Sequence, residues 1–247
     1  MSCLALAAAL FALACASGPA SSQRKDGPLQ HYQLARMYFE QGKVPEALAE
    51  VDRSLRLDDT LPQTHFYQGY IFWSLQRWSA AEAAFREALQ LHPYYTDARM
   101  YLATCLDQQN RIDEALSELS RALDDQTYPF PEKIRVNRAV LLRRQGRLSD
   151  ALTELRRAVE IKPRYYRAHY EMARLLVDMG QGEEALDAFV AAQPGYEADA
   201  EFHYRYGAAL FRQNRRLEAG RELRRAMDLA PGSETAAKAR DLLGVMG

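Results

Sequence analysis

PQTHFYQGYIFWSLQRWSAAEAAFREALQLHPYY, residues 62–95, contains two helical patterns separated by a short polar turn. We number the 34 positions of this stretch as offsets, counting residue 62 as offset 1. Small residues at offsets 8 and 20 allow two helices to approach closely, and larger apolar residues at offsets 11 and 24 fill the space around the contact. The residues concerned are Gly69 (offset 8), Phe72 (11), Ala81 (20), Phe85 (24), Ala88 (27) and Pro93 (32). The stretch therefore predicts a helix–turn–helix unit whose second helix is stopped by Pro93.

The start of that second helix has a signal of its own. Ser79 is followed three residues later by Glu82. This spacing matches the capping box, in which the two side chains bond to backbone N–H groups at the helix start. We therefore expect the second helix to begin at Ser79.

The unit recurs along the chain. A turn residue (offset 15) and an alanine (offset 20) each return at steps of 34, 34, 36, 34 and 34 residues. The turn residues are Gly42, Gln76, Asn110, Gly146, Gly180 and Asn214, and the alanines are Ala47, Ala81, Ala115, Ala151, Ala185 and Ala219. This pattern resembles the tetratricopeptide repeat, a helix–turn–helix unit of 34 residues. A generic helical bundle has no reason to keep such a period.

The resemblance implies an all-α fold, a superhelical solenoid of six tetratricopeptide repeats, because one repeat cannot bury its apolar face alone. The predicted repeats are 28–61, 62–95, 96–129, 132–165, 166–199 and 200–233. Residues 234–247 are expected to form a capping helix, with Lys238, Arg240 and Asp241 on its polar side.

Composition and motifs argue against most catalytic classes. The net charge of −1 gives no reason to expect nucleic acid as a partner. The sequence shows no Gly-rich phosphate loop and no Ser/His/Asp arrangement, so we expect no enzyme activity, no cofactor and no small-molecule substrate. His31, His65, His169 and His203 all lie at offset 4, spread along the array, and a zinc site needs convergent ligands. No metal site is expected.

The N-terminus predicts export. Residues 3–14 are twelve consecutive apolar residues, too few to span a bilayer but suited to a signal peptide over residues 1–14. Residues 11–15, FALAC, resemble a bacterial lipobox, which implies that Cys15 is acylated and becomes the first mature residue. Residues 16–27, ASGPASSQRKDG, have a flexible linker composition. An ordinary cleaved signal peptide and a cytoplasmic protein with an apolar N-terminus remain alternatives.

The lipobox resemblance also implies a location. In bacterial lipoproteins, an aspartate after the acylated cysteine favours the inner membrane; here that residue is Ala16, which implies the outer membrane. After removal of the signal peptide, Cys105 would be the one unmodified cysteine, and a buried small apolar side chain is expected there.

A two-residue insertion interrupts the period between the third and fourth repeats, at residues 128–131 (YPFP). This insertion, followed by residues 141–176 and combined with the lipobox and six repeats, resembles the type IV pilus pilotins of the PilF, PilW and Tgl group. The resemblance implies a non-enzymatic outer-membrane lipoprotein that binds the secretin subunit and promotes its localisation or multimerisation.

First-helix offsets 2, 5, 9, 12 and 13 are expected to face the concave side of the array. In the first three repeats they include an aromatic set suited to an apolar peptide or an amphipathic helix. The predicted partner-binding groove consists of Tyr32, Phe39, Phe66, Tyr70, Trp73 and Met100.

The other half of the predicted groove is basic. Residues 132–167 hold 11 Lys and Arg against 4 Asp and Glu. A solvated face and contact with an acidic peptide, a lipid headgroup or a glycan are all compatible with this charge. The groove positions are Lys133, Arg143, Arg144, Arg167 and Arg174.

Three functions remain open at this stage. The first is the pilotin-like lipoprotein for a type IV pilus secretin. The second is an outer-membrane adaptor that docks envelope enzymes such as peptidoglycan hydrolases. The third is a cytoplasmic peptide-binding scaffold; its carboxylate-clamp form requires Lys and Asn at offsets 5 and 9, where this chain has Tyr32 and Arg36.

Overall fold

The computed structural model describes residues 27–246, which divide into two compact units. The described part of the first unit is one helix pair, α1 (Pro28–Glu40) and α2 (Val44–Leu57). The second unit begins at Leu61. The predicted signal peptide, Cys15 and the linker up to residue 26 lie outside the described residues.

Eleven α-helices make up the second unit. They are α3 (Pro62–Ser74), α4 (Trp78–Leu91), α5 (Thr96–Gln108), α6 (Ile112–Leu123), α7 (Pro131–Arg144), α8 (Leu148–Ile161), α9 (Tyr166–Asp178), α10 (Gly182–Ala192), α11 (Ala200–Arg212), α12 (Arg216–Leu229) and α13 (Glu234–Met246). A short 3-10 helix, Gln193–Gly195, follows α10. Residues 27–246 contain no strand, so the all-α prediction is confirmed for them. None of these helices is both long enough and apolar enough to cross a bilayer.

Helices of the second unit stack in chain order. Each packs against its neighbours in sequence, and first helices of successive pairs also meet, as α3 with α5 and α7 with α9. At the C-terminal end, Ala239 of α13 is buried with Leu223 and Ala226 of α12, whereas the polar residues predicted for its outer side are exposed. Contacts limited to neighbours are the mark of a repeat array.

Close contact within a pair depends on the small residues that the sequence singled out. All six offset-20 alanines are fully buried. At offset 8 of the α3–α4 pair, a Cβ added to Gly69 would lie 2.7 Å from the Phe85 ring, so glycine is required there while that ring fills the space. Phe85 is itself 0% exposed.

The turn residues share one backbone conformation. All six offset-15 residues have positive φ, between 57° at Gln76 and 75° at Gly146 and Gly180. Glycine adopts this left-handed region without penalty and asparagine tolerates it, which explains five of the six residues. Gln76 has neither advantage and holds the conformation under strain.

The expected capping box is wrong. Helix α4 begins at Trp78, its N-cap is Arg77, and no side chain caps it. Glu82 instead accepts hydrogen bonds from Arg86, Arg111 and Gln109. The bonds from Arg86 on the same helix, and from Gln109 and Arg111 in the turn between α5 and α6, therefore take the place of the local cap at this residue.

Exchanging the residues of two turns should give opposite changes in stability. Gln76→Gly removes the free-energy cost of holding a residue with a Cβ in the left-handed region, and it also increases the entropy of the unfolded chain, which acts in the opposite direction. Because the first effect is the larger, the free energy of unfolding should rise by up to about 1 kcal/mol. Gly146→Gln should lower it by a similar amount, because nothing lies within 4 Å of its Cβ position and only the backbone penalty acts. Urea unfolding followed by circular dichroism measures both; a loss of stability in Gln76→Gly would contradict the argument.

Candidate partner-binding surface

Three neighbouring rings form the aromatic part of the first-helix surface in the second unit. Tyr70 lies parallel to Trp73 on α3, with ring centroids 6.0 Å apart and an interplanar angle of 15°. Tyr101 of α5 meets both rings edge-on, at 5.4 and 5.0 Å. All three residues are half-buried, so each keeps part of its ring accessible. We call Tyr70, Trp73 and Tyr101 the aromatic patch.

Two predicted groove residues pack mainly inward. The Phe66 ring lies 4.8 Å from Tyr95 and 5.7 Å from Phe85, and Met100 packs against the same apolar cluster. Their half-buried side chains therefore support the core as well as the surface. Either substitution would change stability together with binding.

The remaining predicted groove residues belong to the first unit. Tyr32 and Phe39 lie on α1 and are half-buried. The Arg36 guanidinium carbon lies 5.9 Å from the centre of the Tyr32 ring, within the range of a cation–π contact.

Most of the predicted basic residues have partners. Arg143 Nε donates to Asp178 Oδ2 at 2.5 Å, and Arg144 pairs with Asp107. Lys133 Nζ lies 4.1 Å from the centre of the Phe130 ring. Both arginine pairs join α7 to neighbouring first helices, so part of the positive charge holds the array together.

The other two basic residues differ from each other. Arg174 Nη1 donates to both oxygens of Glu171, at 3.1 and 3.0 Å, and its guanidinium carbon lies 5.7 Å from the Tyr170 ring centre. Arg167 is exposed beside a cavity of about 120 Å³ that Met100, Asn137 and Leu141 also line.

A second cavity, of about 200 Å³, collects four arginines from three first helices. We call it the arginine pocket; its lining is Arg143, Arg174, Val177, Asp178, Phe189, Tyr204, Arg205, Ala208 and Arg212. Arg205 and Arg212 were not predicted here, and neither was Tyr101 in the aromatic patch. Tyr101 and Arg205 lie at offset 6, which was not among the predicted surface offsets, whereas Arg212 lies at offset 13, which was.

Offset 4, where the histidines recur, is a position at which a basic side chain pairs with a glutamate. In four repeats its basic side chain meets a glutamate 19 residues later, on the second helix of the same pair. The pairs are His31–Glu50 (2.6 Å), Arg99–Glu118 (2.6 Å), Arg135–Glu154 (3.0 Å) and His203–Glu222 (2.7 Å). The repeats with Ala84 and Ala188 have no glutamate there, and His169 bonds to the Pro163 carbonyl instead.

His203 should make stability depend on pH. The hydrogen bond to Glu222 raises the pKa of His203 above its usual value, although burial opposes this. A raised folded-state pKa gives stability that is complete below pH about 6.5 and is lost as pH rises through the folded pKa. We expect Glu222→Gln to reduce the difference in unfolding free energy between pH 6 and pH 9, measured in urea. An unchanged difference would assign the pH dependence to other groups.

The inserted segment and the free thiol have structural surroundings. Tyr128 donates from its hydroxyl to Asp97 Oδ1 at 2.8 Å, which ties the insertion to α5, and Phe130 stands beside it, partly exposed. Cys105 is buried, and burial raises the pKa of its thiol to about 12. A thiol that stays protonated is a poor nucleophile. Within residues 27–246 no three His, Cys, Asp or Glu side chains are grouped so as to hold a metal ion.

Comparisons with solved structures agree on the fold. PilW, a widely conserved type IV pilus biogenesis factor, is 24% identical with a TM-score of 0.75, over 87% of this chain and 98% of its own. Pseudomonas aeruginosa PilF is 18% identical with a TM-score of 0.77, over 90% and 99%. YrrB, a tetratricopeptide-repeat protein with an unusual peptide-binding site, is 20% identical with a TM-score of 0.56, over 77% and 97%. No curated protein matches the chain by sequence.

Family models identify the repeat directly. Three models described as tetratricopeptide repeat match residues 72–127 and 142–204, residues 106–166, and residues 28–53. Together these ranges include more than half of the chain. The recurring left-handed turns and buried alanines lie at the spacing of that repeat. The chain belongs to the tetratricopeptide-repeat family.

Proposed function

We propose that this chain is a pilotin-like outer-membrane lipoprotein that binds the secretin subunit of a type IV pilus system and promotes its localisation or multimerisation. The observation that carries the proposal is the aromatic patch, three accessible rings on the first-helix surface of a repeat array. Aromatic side chains are the commonest anchors of protein interfaces. The likeness to PilW and PilF in fold supports the choice of a pilus system.

The mechanism that we propose is non-enzymatic. Repeat arrays present extended surfaces on which a partner segment lies across several repeats. Tyr70, Trp73 and Tyr101 would bury apolar side chains of the secretin segment, and the lipid anchor would hold both proteins at the outer membrane. No cofactor, nucleic acid or small-molecule substrate enters this mechanism.

Co-purification tests the partner. The tagged chain is extracted in detergent from isolated outer membranes, and the bound proteins are probed for the secretin and for peptidoglycan hydrolases. We expect the secretin to co-purify. Hydrolases without secretin would favour the envelope-enzyme adaptor, and recovery of the chain only from the cytosolic fraction would favour the cytoplasmic scaffold.

Acylation of Cys15 is the second requirement of the proposal. Each buried methylene contributes about 0.8 kcal/mol, so a single acyl chain binds a membrane only reversibly, and two or more chains are needed for stable anchoring. Cys15→Ser should abolish incorporation of labelled palmitate and release the chain from membranes. Cys3→Ser is the matched control and should leave labelling unchanged, because residue 3 is removed with the signal peptide. Mature wild-type protein with an unmodified Cys15 would refute the anchor.

A further inference from the structure

Four guanidinium groups converge on the arginine pocket from three first helices. Arg143 comes from α7, Arg174 from α9, and Arg205 and Arg212 from α11. Asp178 is the one acidic residue in the lining, so the formal charge of the lining is four positive against one negative. Such an excess of arginine favours an anion, because guanidinium binds carboxylate or phosphate oxygens in a bidentate manner.

The arginines are only partly neutralised by their protein partners. Arg143 uses Nε on Asp178, and Arg205 pairs with Glu201 at 2.7 Å. Arg174 bonds to Glu171 through Nη1 alone, and its Nε is buried with no acceptor. Among the ion pairs of residues 27–246, Arg212 has none. Donors therefore remain for an additional anion.

The lining also favours one chemical source of that anion. Phe189 is 1% exposed, and Val177 and Ala208 lie beside it, so part of the pocket wall is apolar. A glutamate side chain offers methylene groups to this wall and a carboxylate to the arginines. An inorganic phosphate ion has no such stem and would leave the apolar wall uncovered. The volume, about 200 Å³, suits one or two side chains.

We propose that the arginine pocket binds glutamate side chains of an acidic peptide segment. Arg205, Arg174 and Arg143 occupy offsets 6, 9 and 12 of their repeats, which are also the offsets of Tyr101, Tyr70 and Trp73. Equivalent offsets place both sets on the same side of the first helices. The partner segment of the proposed function would then combine apolar residues for the aromatic patch with acidic residues for the pocket, and this refinement rests on that function.

The test uses a fluorescent hexaglutamate peptide blocked at both ends, titrated with the folded chain by anisotropy at low salt. Arg174→Gln with Arg212→Gln should weaken binding at least about tenfold, because hydrogen bonds to charged groups are lost. Arg221→Gln with Arg224→Gln removes the same charge from exposed positions of α12 and should change binding less than threefold. Arg212→Gln alone gives a second variant, with no ion pair to lose, if Arg174→Gln unfolds the chain.

Equal weakening in both double variants would overturn the proposal, since binding would then follow net charge. Tighter binding of inorganic phosphate, or of phosphatidylglycerol vesicles, than of the peptide would overturn it in favour of a phosphate site. The proposed function can fail independently of the pocket. If the wild-type chain binds hexaglutamate at the pocket but never co-purifies with secretin, the pocket assignment stands and the secretin partner is refuted. If the chain binds secretin but its peptide binding does not depend on the pocket arginines, the secretin partner stands and the pocket assignment is refuted.

Discussion

Replacing Tyr70 and Trp73 together by alanine is expected to weaken secretin binding by at least about 2 kcal/mol, roughly 30-fold. The two rings are stacked and partly accessible, so both would contact an occupant of the aromatic patch. An aromatic ring buries about 150–250 Å² when fully covered, which makes the loss measurable. In cells, secretin monomers should accumulate while the variant stays at its normal level in the outer membrane.

Both rings also contribute to folding, so the experiment needs a control for stability. They contact Tyr101, and Trp73 packs against the buried cluster, so the double variant should lose some stability as well. Offsets 9 and 12, expected to face the concave side, therefore contribute to packing as well. Ile71 lies on the same helix and is 0% exposed, so Ile71→Val changes the core without changing the surface that would meet the partner. It should lower the free energy of unfolding by about 0.5–1.5 kcal/mol, as is typical of Ile→Val changes in a core.

Trp73→Phe isolates the contribution of the ring. Trp73 Nε1 is buried and has no hydrogen-bond acceptor within residues 27–246. The change therefore keeps an aromatic ring and removes no hydrogen bond, and secretin binding should stay within about threefold of wild type. Normal heat-resistant secretin multimers in the Tyr70/Trp73 double variant would refute the assignment of the patch, whereas loss of multimers in Ile71→Val would attribute the effect to stability.

Glu154→Ala should lower the free energy of unfolding by about 3 kcal/mol, the low end for breaking a buried ion pair by removing one partner. Glu154 is 7% exposed and lies 3.0 Å from Arg135 Nη1 and 3.7 Å from Arg138 Nη1. The Nε atoms of both arginines are buried without acceptors, so the change leaves two guanidinium groups with no carboxylate. Partial exposure of both arginine side chains keeps the expected cost at the low end.

Two companion variants define the cause of that loss. Glu160→Ala removes an exposed glutamate from the same helix and should change stability by less than about 0.5 kcal/mol. Adding Arg135→Leu and Arg138→Leu to Glu154→Ala should recover most of the loss, because apolar replacement of a buried ion pair is often neutral or stabilising. Urea unfolding followed by circular dichroism measures all three. A cost below 1 kcal/mol for Glu154→Ala would mean that solvent already screens the arginines.

Periodicity was sufficient to predict the elements. The offset-20 alanines and offset-15 turn residues depend on contacts within one helix pair, where sequence spacing fixes spatial spacing. The alanines are buried and the turns lie where they were expected, and the structure adds that every turn residue has a left-handed φ. The start of α4 differed from the expectation, because Glu82 bonds to Arg86 on its own helix and to Arg111 in the next repeat instead of capping the helix. A residue with two possible partners is assigned correctly only when the distant one is known.

The candidate partner-binding surface was predicted only in part, because it too depends on contacts between different repeats. Tyr70, Trp73, Arg143 and Arg174 were predicted from their offsets. Tyr101 and Arg205 were not, because offset 6 was left out of the predicted surface, and Arg212 was not named although it lies at the predicted offset 13. Which first-helix side chains meet in one pocket depends on how successive pairs pack, and the spacing within one repeat does not show that.

The sequence by itself determined the repeat, its period and its turns, because these depend on short-range sterics: a small residue at each close contact, and glycine or asparagine at five of the six turns. The tertiary structure alone decided which charges are neutralised. Arg143 and Arg144 looked like free positive charge, yet both meet aspartates that lie 35 and 37 residues away in the chain. The offset-4 histidines were assigned no partner from the sequence, yet two of them pair with glutamates on the facing helix. The pairs of Arg143 and Arg144 depend on distances between different repeats, which are set only when the repeats stack, whereas the histidine pairs depend on how the two helices of one repeat face each other.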